Sequence, residues 1–335
     1  MRVLIAVDKF RGTATAADAT GAVANACWEL GHDADEAPMS DGGEGLLDVL
    51  GGANRTTIVT GPLGSPVEAA WRIEHRTAVI EMARASGLAL AGGADGNDPL
   101  AATTAGTGEL IARAVEQGAR RVIVGLGGSA TTDGGRGAVE ALPSPARLRT
   151  VELEVACDVR TRFVDAAAVF APQKGAGPAQ VAMLTARLEQ LASRYRDQFG
   201  VDVTELDGAG AAGGLAGGLA ALGGRLVSGF ELVAEYVDLE ERAHTADVIV
   251  TGEGHLDAQS LDGKVVGGVC GVAAAAGRPV VVIVGDADDD AAAVLRARPD
   301  VTVVSLVERF GERRAFTEPR WCIEHAAADV LEILD

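Results

Sequence analysis

Aromatic residues make up only 4% of this 335-residue chain, too few for a core built on packed rings. Cysteine is equally scarce. Cys27, Cys157, Cys270 and Cys322 stand far apart with no Cys-x-x-Cys pair, and the five histidines lie outside metal-site spacing of them, which argues against a zinc site and for a reducing cytoplasm. Long apolar runs are missing too. The stretch 3–7 is too short for a signal-peptide core and 265–284 is interrupted by Gly277-Arg278-Pro279, so no segment is expected to span a membrane. Finally, no run of lysine and arginine offsets the formal charge of -19, and nucleic acid is therefore not an expected partner. A small anionic substrate stays compatible with that charge, because a local nest of N–H groups and one or two cations outweighs a screened distant field.

What the chain has in quantity is glycine, 44 residues, within a 48% hydrophobic composition. That balance fits tightly layered helices on strands, and the length fits two domains. Val3-Leu4-Ile5-Ala6-Val7 reads as a buried parallel strand, followed by a helix over 15–30 that Thr15 caps and Gly31 ends. A helix near 110–117 leads through Gly118 into a strand over 121–124. From Asp247 onward the pattern predicts strand 248–250, a glycine loop, helix 263–276, strand 280–284, helix 289–296 and strand 301–306. Alternation over 71–82 predicts antiparallel strands. The expected architecture is α/β with a doubly wound parallel-sheet domain formed by 1–59 and 226–335. An inserted mixed α/β domain covers 60–225, and the active site is expected in the cleft between the two.

Four glycine clusters carry the chemistry-bearing residues. They are Ser40-Asp41-Gly42-Gly43-Glu44-Gly45, the 125–135 run, the 207–214 run, and Thr251-Gly252-Glu253-Gly254-His255-Leu256-Asp257. Glycine lets backbone N–H groups converge on an anion, and neighbouring carboxylates can hold a divalent cation or accept a proton, a combination suited to phosphoryl transfer. Gly127, Gly128, Ser129, Thr131, Asp133, Gly134 and Gly135 form one candidate phosphate nest, with Gly210 and Gly213 as a second; the alternative for Asp133 is a helix cap. Asp8, Lys9 and Arg11 follow the first strand, on the side where such sheets bind ligands, so Asp8 is a candidate base and the two cations candidate anchors for a carboxylate or phosphate. Asp41 is a further catalytic candidate, Glu253 and Asp257 are candidate magnesium ligands, and Lys264 is a candidate point charge on a phosphate. Gly208-x-Gly210-x-x-Gly213 and Gly125-x-Gly127-x-x-Ala130 imitate a dinucleotide fingerprint, but neither has the following strand with its acidic end, and a nicotinamide cofactor is set aside.

In order along the chain, Ala6-Val7-Asp8-Lys9-Phe10-Arg11-Gly12-Thr13, Ser40-Asp41-Gly42-Gly43-Glu44-Gly45, Glu81-Met82-Ala83-Arg84-Ala85-Ser86-Gly87-Leu88, Gly127-Gly128-Ser129-Ala130-Thr131-Thr132-Asp133-Gly134-Gly135, Cys157-Asp158-Val159, Pro172-Gln173-Lys174-Gly175-Ala176 and Thr251-Gly252-Glu253-Gly254 resemble the bacterial glycerate kinase family. The resemblance implies two α/β domains, ATP-dependent phosphorylation of D-glycerate, usually to 2-phosphoglycerate, and magnesium as the nucleotide's counter-ion. For that chemistry Asp41, Asp8, Asp257 and Lys264 are the expected catalytic residues, and Lys9 and Arg11 are expected to hold glycerate. The chain departs from the family pattern at Val7 where a proline is usual, at the short 143–150 segment, and at Thr161-Arg162-Phe163. A kinase of another hydroxy acid and a catalytically silent metabolite sensor are the alternative readings, and monomer and homodimer both stay open.

Overall fold

The strands follow from the sequence in the order β1 (Arg2–Val7), β2 (Asp33–Glu36), β3 (Arg55–Thr60), β4 (Pro66–Glu74), β5 (Thr77–Glu81), β6 (Arg121–Gly125), β7 (Glu152–Ala156), β8 (Arg225–Val227), β9 (Val248–Leu256), β10 (Val280–Ala287) and β11 (Val301–Ser305). They are seen in a computed structural model that describes residues 1–142, 148 and 150–334. The shortened segment over 143–150 noted in the sequence lies almost wholly outside these residues. The chain divides into a first unit of Met1–Asp41 with Gly229–Asp335 and a second unit of Gly42–Ser228. The second unit thus begins before the residue-60 boundary expected from sequence, and the reason is β3, which pairs antiparallel with β4. Among the described residues no helix is long and apolar enough to cross a membrane.

The first unit holds a wholly parallel sheet in the order β11-β10-β9-β1-β2. After its first residue β1 is buried throughout, as a strand covered on both faces must be, and this is why it reads as an unbroken apolar run. On one face Val3, Ile5, Val250 and Ile283 pack with Ala22 and Ala26 of the helix Ala16–Glu29 and with Ile323 and Ala327 of the helix Pro319–Leu334. The helix after β1 starts at a capping box: Thr15 Oγ1 accepts the Asp18 amide at 3.1 Å and Asp18 Oδ2 accepts the Thr15 amide at 3.3 Å. From β1 the chain moves outward to β2, and from β9 it moves the other way to β10. The crevice outside the C-terminal ends of β1 and β9 is therefore a topological switch point.

The fourth glycine cluster is strand rather than loop. β9 continues through Gly252, Glu253 and Gly254 to Leu256 because β10 also runs on, with His255 opposite Asp286 and Leu256 opposite Ala287.

The second unit has a mixed sheet in the order β3-β4-β5-β6-β7-β8, antiparallel from β3 to β5 and parallel from β5 to β8. The alternating 71–82 segment is the hairpin of β4 and β5, turned at His75 and Arg76, both with positive φ. Trp71, Ile80, Val122, Val124 and Val155 form its core with Leu110 and Ile111 of the helix Ala105–Glu116 and Leu215 and Leu219 beyond the third glycine cluster.

Candidate active site

In the first unit, Asp8 is the residue directly after β1 and is only 5% exposed, its amide donating to Gly252 O at 2.9 Å. Its Oδ1 accepts the Lys9 amide at 2.7 Å and lies 3.5 Å from Lys9 Nζ, which is 3.0 Å from Asp41 Oδ1. Burial pushes the Asp8 carboxyl up to about 7, an effect that Lys9 opposes and Asp41 reinforces. Lys9 is pulled down by burial, but Asp8 and Asp41 outweigh that and keep its ammonium above the ordinary range. Sequence reasoning gave Lys9 to the substrate; here the ammonium is already shared between two carboxylates. Arg11 is exposed and makes no ion pair among the described residues, so it is the cation of this segment that is free to take an anion.

Glu253 reaches the same region from β9. Its carboxyl is pushed up to about 7, first by burial and then by the charge of Asp8, while Ser260 and Lys264 pull the other way. Its Oε1 is buried without a hydrogen-bond partner. Two buried carboxyls influencing one another, one with an unpartnered oxygen, are what a divalent cation would relieve. Magnesium typically takes one or two carboxylates and completes its shell with water and phosphate oxygens, so Glu253, beside Asp8, fits it. Among the described residues there is no group of three metal-binding side chains, so an all-protein cage is absent.

Asp257 does something else. Its Oδ1 accepts the Ser260 amide at 2.9 Å and the Ser260 hydroxyl at 3.2 Å, closing the turn after β9. Partial burial raises it, yet these bonds and Lys264 prevail and hold it below the usual carboxylate range. One oxygen of the expected metal ligand is thus engaged in forming a turn. Lys264 is the N-cap of the helix Val265–Ala276 and reaches Gln259 Oε1 at 3.4 Å.

In the second unit, the loop after β6 turns back toward the Ser40 cluster. Leu126 donates to Gly42 O at 3.1 Å, and a Cβ on Gly127 would lie 2.7 Å from the Glu44 nitrogen. Glu81 at the end of β5 fixes that cluster by accepting the amides of Gly45 at 2.8 Å and Leu47 at 2.9 Å. The amides of Gly127, Gly128 and Ser129 donate to no acceptor among the described residues, and Gly127 and Gly128 are partly exposed. Consecutive amides left without acceptors are the donors an anion nest requires.

Asp133 takes the alternative foreseen for it. One carboxylate oxygen accepts the Thr104 amide at 2.9 Å, the Thr104 hydroxyl at 2.8 Å and the Gly137 amide at 3.0 Å, while the other accepts Gly135 N at 3.1 Å. It satisfies the starts of two helices, Ala105–Glu116 and Arg136–Ala141. The amide of Gly134 is likewise used, donating to Gly213 O at 3.0 Å. Residues 133–135 therefore do not offer these amides to phosphate, and the nest is narrower than the sequence suggested. Ser129 and Thr131 lie beneath it, their hydroxyls 3.1 Å apart.

Gly210 and Gly213 are also corrected. Both are buried, and the Gly210 amide donates to Thr161 O at 2.9 Å. Gly213, at φ +67°, presses on the nest loop so closely that a Cβ would lie 1.9 Å from Thr131 O. These glycines buttress the loop from behind. Gly213→Ala is accordingly expected to cost about 2–4 kcal/mol, read as a lower urea midpoint, since it strains φ and collides with backbone. An unchanged midpoint would show the two segments to be separable.

One buried cation escaped sequence reasoning as a site residue. Lys174, 3% exposed, donates from Nζ to Thr131 O at 2.6 Å and toward Ser129 Oγ at 3.4 Å. Its sequence signal is its place in Pro172-Gln173-Lys174-Gly175-Ala176, one of the segments that carry the family resemblance.

A parallel α/β unit with buried acids at its switch point and a second α/β unit with an amide nest are the equipment of a small-molecule kinase. Comparison with known proteins gives the particular kind: the chain matches the glycerate kinase family over residues 3–145 and 143–335, and it belongs to that family. It is 39% identical to the glycerate 2-kinase of Escherichia coli K12, over 88% of this chain and 87% of that protein. It is 36% identical to the glycerate kinase of Bacillus subtilis 168, over 98% and 97% respectively. A crystal structure from Salmonella typhimurium LT2, described as a glycerate kinase 2, matches with a TM-score of 0.81 at 33% identity, covering 100% of this chain and 98% of that one.

Proposed function

We propose that the protein transfers the γ-phosphoryl group of ATP to a hydroxyl of D-glycerate in the cytoplasm, giving 2-phosphoglycerate. The observation that carries the chemistry is the buried Asp8, ion-paired through Lys9 to Asp41 at the first unit's switch point. A carboxylate raised to about 7 is poised to accept a proton at neutral pH, as a general base must be. Asp8 takes the proton of the acceptor hydroxyl, the oxygen bonds to the γ-phosphorus, and the bond to the bridging oxygen breaks to release ADP. Lys9 holds Asp8 and Asp41 in register. Asp41 shares the Lys9 charge, so the deprotonating role considered for it passes to its more deeply buried neighbour.

Arg11 holds the carboxylate of glycerate. Glu253, with its unpartnered oxygen, is the residue that would hold magnesium, which when bound would supply neutralising charge for the phosphoryl oxygens. In the second unit the Gly127, Gly128 and Ser129 amides receive nucleotide phosphates. The preference for the 2-hydroxyl is supported by the name of the Escherichia coli relative.

Phosphorus NMR of the product from ATP and D-glycerate tests this directly: the expected signal is that of 2-phosphoglycerate, and 3-phosphoglycerate or no turnover would overturn it. A separate outcome is expected for Arg11→Ala, namely a KM for glycerate about 10- to 100-fold higher with KM for ATP unchanged. A change confined to ATP would move Arg11 to the nucleotide.

A further inference from the structure

The second unit contains a charge that the proposed chemistry does not use. Lys174 ends the short 3-10 turn Pro172–Lys174, and Gly175 follows with φ +94°, packed so that a Cβ would lie 2.4 Å from Ala94 O. Asn97 staples this turn to the nest loop, donating from Nδ2 to both Lys174 O and Ala130 O at 3.0 Å. The Lys174 ammonium therefore lies fixed under the loop, with Thr131 O and Ser129 Oγ as its acceptors. Both acceptors are neutral, and among the described residues no carboxylate lies within ion-pair distance. Asp133 acts on it only across space, its own oxygens being held by Thr104, Gly135 and Gly137. Buried charges are normally paired, and this one is not.

Above it in the same loop are the amides of Gly127, Gly128 and Ser129, also without acceptors. Three donors and one buried cation are thus gathered within a few residues, and the carboxylate beside them, that of Glu44 at Gly128, is exposed and accepts none of the three amides. We infer that Lys174 is the buried counter-charge and positioning residue for a polyphosphate seated on the 127–129 amides, so that the affinity for nucleotide phosphates depends on it. The inference rests on the reading that this loop takes the nucleotide. Through Thr131 O and Ser129 Oγ, Lys174 sets the turn that aims the amides, and its charge favours an anion on them. Burial pulls its ammonium down to about 7, against an upward pull from Asp133, so an anion seated on the amides would favour the charged form.

The test is calorimetric titration of ATP and of adenosine into wild type, Lys174→Met, Lys174→Gln and Gly128→Ala, each checked by circular dichroism and thermal unfolding. Both Lys174 variants are expected to remain folded and to lose about tenfold or more in ATP affinity while keeping their affinity for adenosine. Lys174→Gln keeps a donor for Thr131 O and carries the test if Lys174→Met fails to fold. Equal losses for ATP and adenosine, or no loss for either, would overturn the inference and leave Lys174 a packing residue. Gly128→Ala separates this from the underlying reading, because its φ of +72° and a Cβ 2.1 Å from Glu44 Oε1 must disturb the loop. If that variant binds ATP normally, the loop does not take the phosphates. If it binds poorly while the Lys174 variants bind normally, only the role of Lys174 falls.

Discussion

Asp8→Asn is expected to lower kcat by about 10²–10⁴-fold with KM for ATP and for glycerate little changed, because it removes the base and keeps its shape. The same substitution is expected to make the protein more stable. In the folded chain burial raises the Asp8 carboxyl from 3.8 to about 7, so between those values the folded state binds more protons than the unfolded state. Stability from this group therefore falls as pH rises through that window, and the penalty is complete above pH 7. Asparagine cannot ionise and escapes it. Urea unfolding should show the variant ahead of wild type by about 1–3 kcal/mol at pH 8, with the gap closing toward pH 4. Glu253 adds a slope of the same sign, shallower in the variant because the charge of Asp8 helps to raise it, and this widens the gap in the same direction. A variant that is inactive and also less stable at pH 8 would mean that the Lys9 ion pair, not the cost of burying charge, dominates at Asp8. Full activity would remove Asp8 from the chemistry.

Much of this fold was readable because its strands are buried on both faces. β1, β10 and the start of β9 are apolar runs with helices capped by local signals such as Thr15, and such runs need no tertiary information to be recognised. The far half of β9 was not readable. Gly252, Glu253 and Gly254 carry every local mark of a loop, and only the neighbouring β10 makes them strand. Gly252 tolerates that pairing because a Cβ there would lie 1.9 Å from Ile283 O, a contact visible only once the strands are side by side. Membership of β3 in the second sheet was hidden in the same way, since pairing with β4 is a property of the partner.

The site was legible in position more than in role. Asp8, Lys9 and Asp41 do converge, as residues at the C-terminal edge of a parallel sheet should. Sequence could not divide the work among the acids, because role follows burial and hydrogen bonding. Asp133 spends both oxygens on helix starts and Asp257 one oxygen on the Ser260 turn, whereas Glu253 keeps a buried oxygen without a partner and Asp8 is raised beside Lys9. Glycine was ambiguous for a related reason: the residue that exposes an amide at Gly128 also permits bare backbone packing at Gly213. Lys174 was passed over because a lone lysine reads as solvated until the surrounding layers are seen to cover it.

Glu253→Gln is the second substitution with a large expected consequence. Glutamine preserves the volume of the side chain on β9 but removes the charge beside the unpartnered Oε1 position. If Glu253 holds magnesium, the concentration of magnesium needed for half-maximal activity should rise by about 10- to 100-fold, with activity recovered in part at high magnesium. Binding of manganese, followed by electron paramagnetic resonance, should weaken in parallel and gives a reading independent of turnover. The competing account keeps Glu253 protonated as a buried neutral group, in which case glutamine is a near-perfect replacement and neither quantity moves. Magnesium dependence also fixes the sign of a pH effect. A cation at these carboxyls stabilises their ionised forms, so raising magnesium should shift the acid limb of the rate profile from near pH 7 to lower pH in wild type, and less so in Glu253→Gln. An acid limb that ignores magnesium in both proteins would place the cation elsewhere and leave Glu253 to tune Asp8 by charge alone.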